Sequence, residues 1–342
     1  MPSVDTAAVS TLIEKADIVT PMTIRAGVRT GLFDTLVDGP RDADGIAAAL
    51  GGDRRAVQVT VDHLVHEDLL AVDDGLYALT PLGRLLTAEN QQLGVRDLFD
   101  TSTLVGRNEI SLTDFHYTVL TGRPASEARS GLTLWQEIDG ARAGDDAQDG
   151  IDAFEWDEPG FAAELILRSD VWQTATNVVD LGGNTGSLLL ALLRRHAHLH
   201  GTVLDFPVFV ERAVHRATQR GLGDRLRGEG GSFFDPLPTG FDVYLLSAVL
   251  ADWNDDDAIT ILRRAAEAAG PHGRVVVAEV HLIAGDNLAP ATSVAVRIEG
   301  SVTRPDRSPA DVASLIERAG LKIVDDDTSA DDRSLFVAAV PS

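Results

Sequence analysis

Between Val178 and Leu193 the chain passes from a β-branched pair through Asp180-Leu181-Gly182-Gly183-Asn184-Thr185-Gly186 into an apolar helical run that begins at Leu188. A strand that ends in glycines and turns straight into a helix is the opening unit of a βαβ fold. Glycine permits the tight turn and leaves the backbone bare where a ligand approaches. Further short runs, Thr202-Val203-Leu204, Val243 to Leu246, Val275-Val276-Val277, Ile323-Val324 and Phe336-Val337, alternate with helical stretches. That alternation predicts a mostly parallel α/β sheet.

Asp205 closes the second strand of this series, where a carboxylate can take both ribose hydroxyls of an adenosine. Asp180, just ahead of the glycines, would repel a pyrophosphate and favours a ligand carrying an ammonium group. S-adenosylmethionine has an amino-acid tail, a ribose and no phosphate, and is the expected cofactor.

The N-terminal half has a different pattern. From Ser10 to about Gly131 apolar residues recur at helical spacing, as in Leu12, Ile13, Ala16, Val19 and Val57, Val61, Leu64, Val65. Asp73-Asp74-Gly75 between two short apolar runs predicts a hairpin, and helices followed by one hairpin make a winged helix. The segment 140–160, rich in Asp and Gly, reads as a loop or broken helix. The expected divisions are a helical winged-helix dimerisation domain over 1–131, a connecting segment over 132–176 that contributes to the pocket, and a Rossmann-like domain over 177–342. Ile18, Val19, Met22 and Ile24 form an early apolar stretch that predicts a homodimer.

Composition narrows the partners. A net charge of −24 repels phosphate backbones and anionic membranes, which argues against nucleic acid and against a ligand-sensing DNA binder built on the winged helix. There is no cysteine, and no apolar run reaches the length of about 18 residues needed to cross a membrane. The start of the chain, with Asp5 and Glu14, does not read as a signal peptide, so a cytoplasmic location is expected. The acidic runs Asp145-Asp146, Asp255 to Asp257 and Asp325 to Asp327 read as solvated loops and helix starts, and His196-Ala197-His198-Leu199-His200 as a solvent-facing helix end; no metal site is expected.

Several segments, in order, resemble the small-molecule O-methyltransferases of the plant and actinobacterial natural-product type. They are Gly31 to Asp34, Tyr77 to Thr80, Asp180 to Gly186, Leu204 to Pro207, Gly231 to Pro238, Leu250 to Asp255 and Gly273 to Glu279. The resemblance implies a seven-stranded Rossmann-like methyltransferase domain, a winged-helix dimerisation domain, and an aromatic or polyketide-type acceptor whose hydroxyl is methylated. It implies cofactor contacts from Asp180, Gly182, Gly183, Gly186, Asp205, Phe206, Ser232, Phe233, Ser247 and Trp253. Ser232 stands where the family usually has Asp. The substrate side would involve Trp135, Ala251 and Ile298.

Family members that deprotonate their acceptor carry His where this chain has Ala251, with two acids beside it that match Glu279 and Asp306. Without that imidazole, catalysis is expected to lean on positioning. Asp252, the adjacent candidate, reads first as an acid at a helix start. Loss of the His also leaves open a cofactor-binding homologue that transfers no methyl, such as a decarboxylase, hydroxylase or pericyclic catalyst.

Overall fold

The computed structural model describes residues 6–90, 95–140, 159–160, 162–281, 292–304 and 307–341. These divide into two compact units, Met1–Ile110 and Ser111–Ser342.

The first unit opens with α1 (Thr6–Lys15), α2 (Val19–Thr30), α3 (Ala43–Leu50) and α4 (Arg54–His66). Asp42 and Asp53 cap α3 and α4 by accepting from Gly45 N and Ala56 N, supplying partners to helix-start N–H groups that have none within the helix. Gly31 ends α2 in left-handed backbone, and Leu32 N then reaches Gly27 O at 2.9 Å. Phe33, Ile46, Val61 and Leu64 form the buried centre. The predicted wing is present: β1 (Leu70–Asp73) pairs antiparallel with β2 (Leu76–Leu79). Asp74 and Gly75 between them both have positive φ, the two-residue turn whose twist suits a hairpin.

The second unit is built on a seven-stranded sheet in the order β5-β4-β3-β6-β7-β9-β8. Its strands are β3 (Asn177–Leu181), β4 (His200–Asp205), β5 (Leu226–Gly230), β6 (Val243–Ser247), β7 (Arg274–Val280), β8 (Lys322–Asp327) and β9 (Arg333–Ala339). β3 to β7 run parallel, and β9 is antiparallel to both β7 and β8. Helices pack on both faces: α5 (Ser187–Arg195) and α6 (Pro207–Gln219) on one, α7 (Asp255–Ala269) and α8 (Pro309–Arg318) on the other. The order reverses between β3 and β6, so a crevice opens at the carboxyl ends of those strands, the usual ligand position in such sheets.

One expectation needs correction: Asp325 to Asp327 form the end of β8, an edge strand, where a loop or helix start is expected. The histidine series does stand at a helix end, His196 capping α5 and His198 and His200 exposed, with His196 and His198 also bonded to the backbone carbonyls of Leu167 and Trp172 and His200 opening β4.

Candidate active site

β3 buries Val178 and Val179 and delivers Asp180 and the glycine turn at the crevice. Gly182 has φ +75°, and a Cβ there would stand 3.1 Å from Val249 Cγ2; a Cβ on Gly183 would fall 2.8 Å from the Asp180 carboxyl. The turn therefore has to be bare. Asn184 is left-handed as well, a conformation its short polar side chain tolerates. Its backbone N–H donates to Asp205 Oδ2 at 2.8 Å, and Phe206 N–H donates to Asp205 Oδ1 at 2.7 Å. Each carboxylate oxygen keeps a further lone pair for a ligand hydroxyl. Behind the turn, buried Arg216 of α6 donates to Thr185 O and Oγ1 and so fixes the loop to the helix.

A cavity of about 350 Å³ lies over this turn, within the size range of small-ligand sites. Of the sequence-expected residues, Trp135, Asp180, Gly182, Gly183, Asp205, Phe206, Ser232, Phe233, Ser247, Asp252 and Trp253 line it. Gly186, Ala251, Glu279 and Ile298 do not. Gly186 packs against Ala213, and Ala251 is buried. Ile298 is half-buried on the helix Thr292–Ser301. Asp306 lies outside the described residues. Phe233 crosses the Trp253 ring at 5.7 Å, nearly perpendicular, making an aromatic wall over Gly182. Asn184, inside the glycine turn, also lines the cavity, as do Val249 and Arg333, which have no local sequence signal; Arg333 comes from β9.

The acids carry the electrostatics. Burial pushes Asp180 up to about 7, helped by the neighbouring charge of Asp205 and opposed by Arg333. Asp205 is pushed by burial to about 6, its two backbone N–H partners pulling it back. Asp252 is raised to about 7 by burial and by the charge of Glu279, with a hydrogen bond from Trp135 acting the other way. The helix-start reading of Asp252 does not hold: Asn254 caps α7, Asp255 to Asp257 occupy its first turn, and Asp252 faces the cavity from the turn before.

Glu279 explains that placement. Its Oε1 accepts from Val249 N at 2.9 Å and its Oε2 from Ala251 N at 2.8 Å. It is 1% exposed, and burial raises its pKa while these N–H groups draw it down. Both oxygens are thus engaged in shaping the segment from Ala248, itself left-handed at φ 55°, to Asp252.

The chemistry of the donor set fits S-adenosylmethionine. Asp180, which accepts no hydrogen bond from the described residues, and Asp205, whose two oxygens each keep a lone pair beyond their backbone N–H partners, suit an ammonium and a ribose diol and disfavour phosphate, and the bare Gly182-Gly183 backbone leaves room for the ligand. Asp205→Ala is expected to weaken S-adenosylhomocysteine binding by about 1–3 kcal/mol in calorimetry, the cost of stranding the ribose hydroxyls. Equal affinity in both proteins would remove Asp205 from the site.

Comparison with known proteins agrees with this arrangement. The family model for the O-methyltransferase domain matches residues 156–322, and that for the O-methyltransferase dimerisation domain matches residues 15–89. The chain is 36% identical over 311 residues to a 2,7-dihydroxy-5-methyl-1-naphthoate 7-O-methyltransferase of Streptomyces carzinostaticus, covering 90% of this chain and 91% of that one. It is 31% identical over 318 residues to an aclacinomycin 10-hydroxylase of Streptomyces purpurascens, covering 92% and 84%. Among solved structures, an O-methyltransferase from neocarzinostatin biosynthesis in complex with S-adenosyl-L-homocysteine superposes with a TM-score of 0.80 at 32% identity, over 96% of this chain and 100% of that one. By sequence and by fold, the chain belongs to the O-methyltransferase family.

Proposed function

We propose that the protein transfers the methyl group of S-adenosylmethionine to a hydroxyl of an aromatic, polyketide-type metabolite, with Asp252 receiving the hydroxyl proton. The cofactor, when bound, supplies an electrophilic methyl group on a sulfonium. Asp205 would hold the ribose and Asp180 the ammonium, while Ser232, Phe233 and Trp253 bound the adenosine end. The observation that carries the reading is the convergence of Asp180, Asp205 and Asp252 on one cavity in a chain of this family. Fixing the acceptor in line with the methyl can supply about 7–11 kcal/mol through orientation alone. An Asp poised near 7 adds a base matched to neutral pH. Glu279 serves this base indirectly, by holding the backbone that aims it. The naphthoate relative supports an aromatic hydroxyl as acceptor.

Incubation with methyl-labelled cofactor and aromatic hydroxy acceptors, followed by product mass, tests the proposal. Label should move to a product one methyl heavier. Ala251 and the hydroxylase relative favour a second reading, in which acceptor is consumed while label stays on the cofactor. That outcome would replace methyl transfer with an electrostatic use of the sulfonium.

The protein is further proposed to act as a homodimer in the cytoplasm, with residues 1–131 as the pairing domain and 132–176 serving the pocket through Trp135. Leu12, Ile13, Ile18 and Val19 are each more than half exposed on α1 and at the start of α2. Ile24, by contrast, packs into the unit's own core. Sedimentation at micromolar concentration should give a dimer, and Leu12→Asp with Ile18→Asp a monomer. A monomeric parent protein would sink this part of the proposal.

A further inference from the structure

Arg333 opens β9 and is 3% exposed. Its Nη2 donates to Ser247 Oγ at 3.0 Å, its Nε has no partner among the described residues, and no carboxylate among them pairs with it within 4.0 Å. A guanidinium offers five donors in a planar fork shaped for a carboxylate, and burying it without an ion pair is costly. Asp180 is its mirror image: 2% exposed, lining the same cavity, and accepting no hydrogen bond from any described residue. A buried acid that accepts no hydrogen bond from the described residues, and a buried guanidinium that feels the charges of Glu279, Asp332 and Asp180 but directly bonds only one hydroxyl among them, face one cavity and are complementary to a zwitterion.

The strand order gives that zwitterion a direction. Asp205 stands at the end of β4, Asp180 near the end of the adjacent β3, and Ser247 with Arg333 farther along, on β6 and β9. An adenosine seated at β4 and the loop after β5 therefore points its 5′ substituent toward Asp180 and Arg333.

We propose that Arg333 is the carboxylate-binding residue of the cofactor site, taking the α-carboxylate of the amino-acid end while Asp180 takes the ammonium. The proposal rests on the cofactor reading given above. It assigns a role to the C-terminal strand that neither the glycine turn nor Asp205 supplies.

Calorimetry with S-adenosylhomocysteine and its decarboxylated analogue, on the unmodified protein, Arg333→Met and Arg333→Lys, tests it. The unmodified protein should prefer the carboxylated ligand by about tenfold or more, the scale of a hydrogen bond to a charged group. In Arg333→Met that preference should shrink to about twofold or less, and Arg333→Lys should retain part of it, since pairing one deletion in the protein with one in the ligand isolates their coupling. Equal losses for both ligands in Arg333→Met would overturn the proposal and leave Arg333 as a neutraliser of the buried acids. Should the Met variant fail to fold, the unmodified protein and the Lys variant still decide, because an unmodified protein without the preference overturns it as well. Failure of the unmodified protein to bind either ligand would sink the cofactor reading itself. With S-adenosylhomocysteine saturating, a preference for a hydroxynaphthoate over the corresponding naphthol that vanishes in Arg333→Lys would give the guanidinium to the acceptor and also overturn the proposal.

Discussion

Asp252→Asn is expected to lower kcat by about 10²–10⁴, the usual cost of removing a general base, while S-adenosylhomocysteine affinity changes by no more than about threefold. Asp252 faces the cavity beside Trp135, and its carboxyl is raised to about 7 by burial and by Glu279. In the unmodified enzyme, activity should rise with pH as Asp252 loses its proton and level off above about 7. The Asn variant should lose that inflection and follow instead the ionisation of the acceptor hydroxyl, near pKa 10 for an ordinary phenol and lower for an acidified one, roughly as for free side chains. Asp257→Asn, which changes an acid in the first turn of α7, serves as the matched control and should leave the rate unaltered. A fall of less than about tenfold in Asp252→Asn would restore the account in which positioning suffices.

The second large effect concerns cofactor affinity and pH. With Asp180 at about 7 in the free protein, the carboxyl carries a proton at pH 6, and pairing with an ammonium requires that proton to leave. Binding therefore releases a proton, and affinity should weaken by roughly tenfold per pH unit below 7 and be flat above it, by linkage. Asp205, at about 6, steepens the fall at lower pH if its ionised form is the one that accepts from the ribose. Asp180→Asn should remove most of the dependence between pH 6 and 8, leaving the shallow part due to Asp205, and cost about 10–150-fold in affinity at pH 8, the range for hydrogen bonds to charged groups. Calorimetry of S-adenosylhomocysteine across pH in buffers of different ionisation enthalpy reads both the slope and the proton count. A pH-independent affinity in the unmodified protein would show that Asp180 does not meet the ammonium.

The parts of the molecule that could be read from sequence are those with a local physical signature. The turn from Asp180 to Gly186 needs bare backbone, and only glycine provides it at the two positions where a Cβ would strike Val249 or Asp180. Asp74-Gly75 specifies its hairpin because both residues accept positive φ. What escaped sequence reading depends on chain segments far apart. Arg333 gives no hint of a cavity role until β9 is laid beside β7, which brings it to Ser247. Glu279 could be found as an acid at a strand end, but its engagement with Val249 N and Ala251 N appears only when the loop after β6 folds over it. The position of Asp252 is of the same kind: proximity to α7 in sequence suggests a helix start, whereas Asn254 caps that helix and Asp252 lines the cavity.

The placement of β9 between β7 and β8 also bears on how the chain is made. β8 precedes β9 in sequence yet pairs with nothing else in the sheet, so during vectorial synthesis it emerges before its partner exists. A strand waiting in that state is a template for pairing with other nascent chains, the hazard that edge strands carry. Asp325, Asp326 and Asp327 occupy half of β8, and like charges along its length would oppose a second copy adding in register. In the finished fold the same acids remain on the outer edge, where hydrogen bonds from the Ser329 hydroxyl and then from Arg168, which pairs with Asp327 at 2.6 Å, hold the Asp327 carboxyl down near 2. Like charge on β8 would therefore oppose a second copy adding at this edge both before β9 is made and after the sheet is complete.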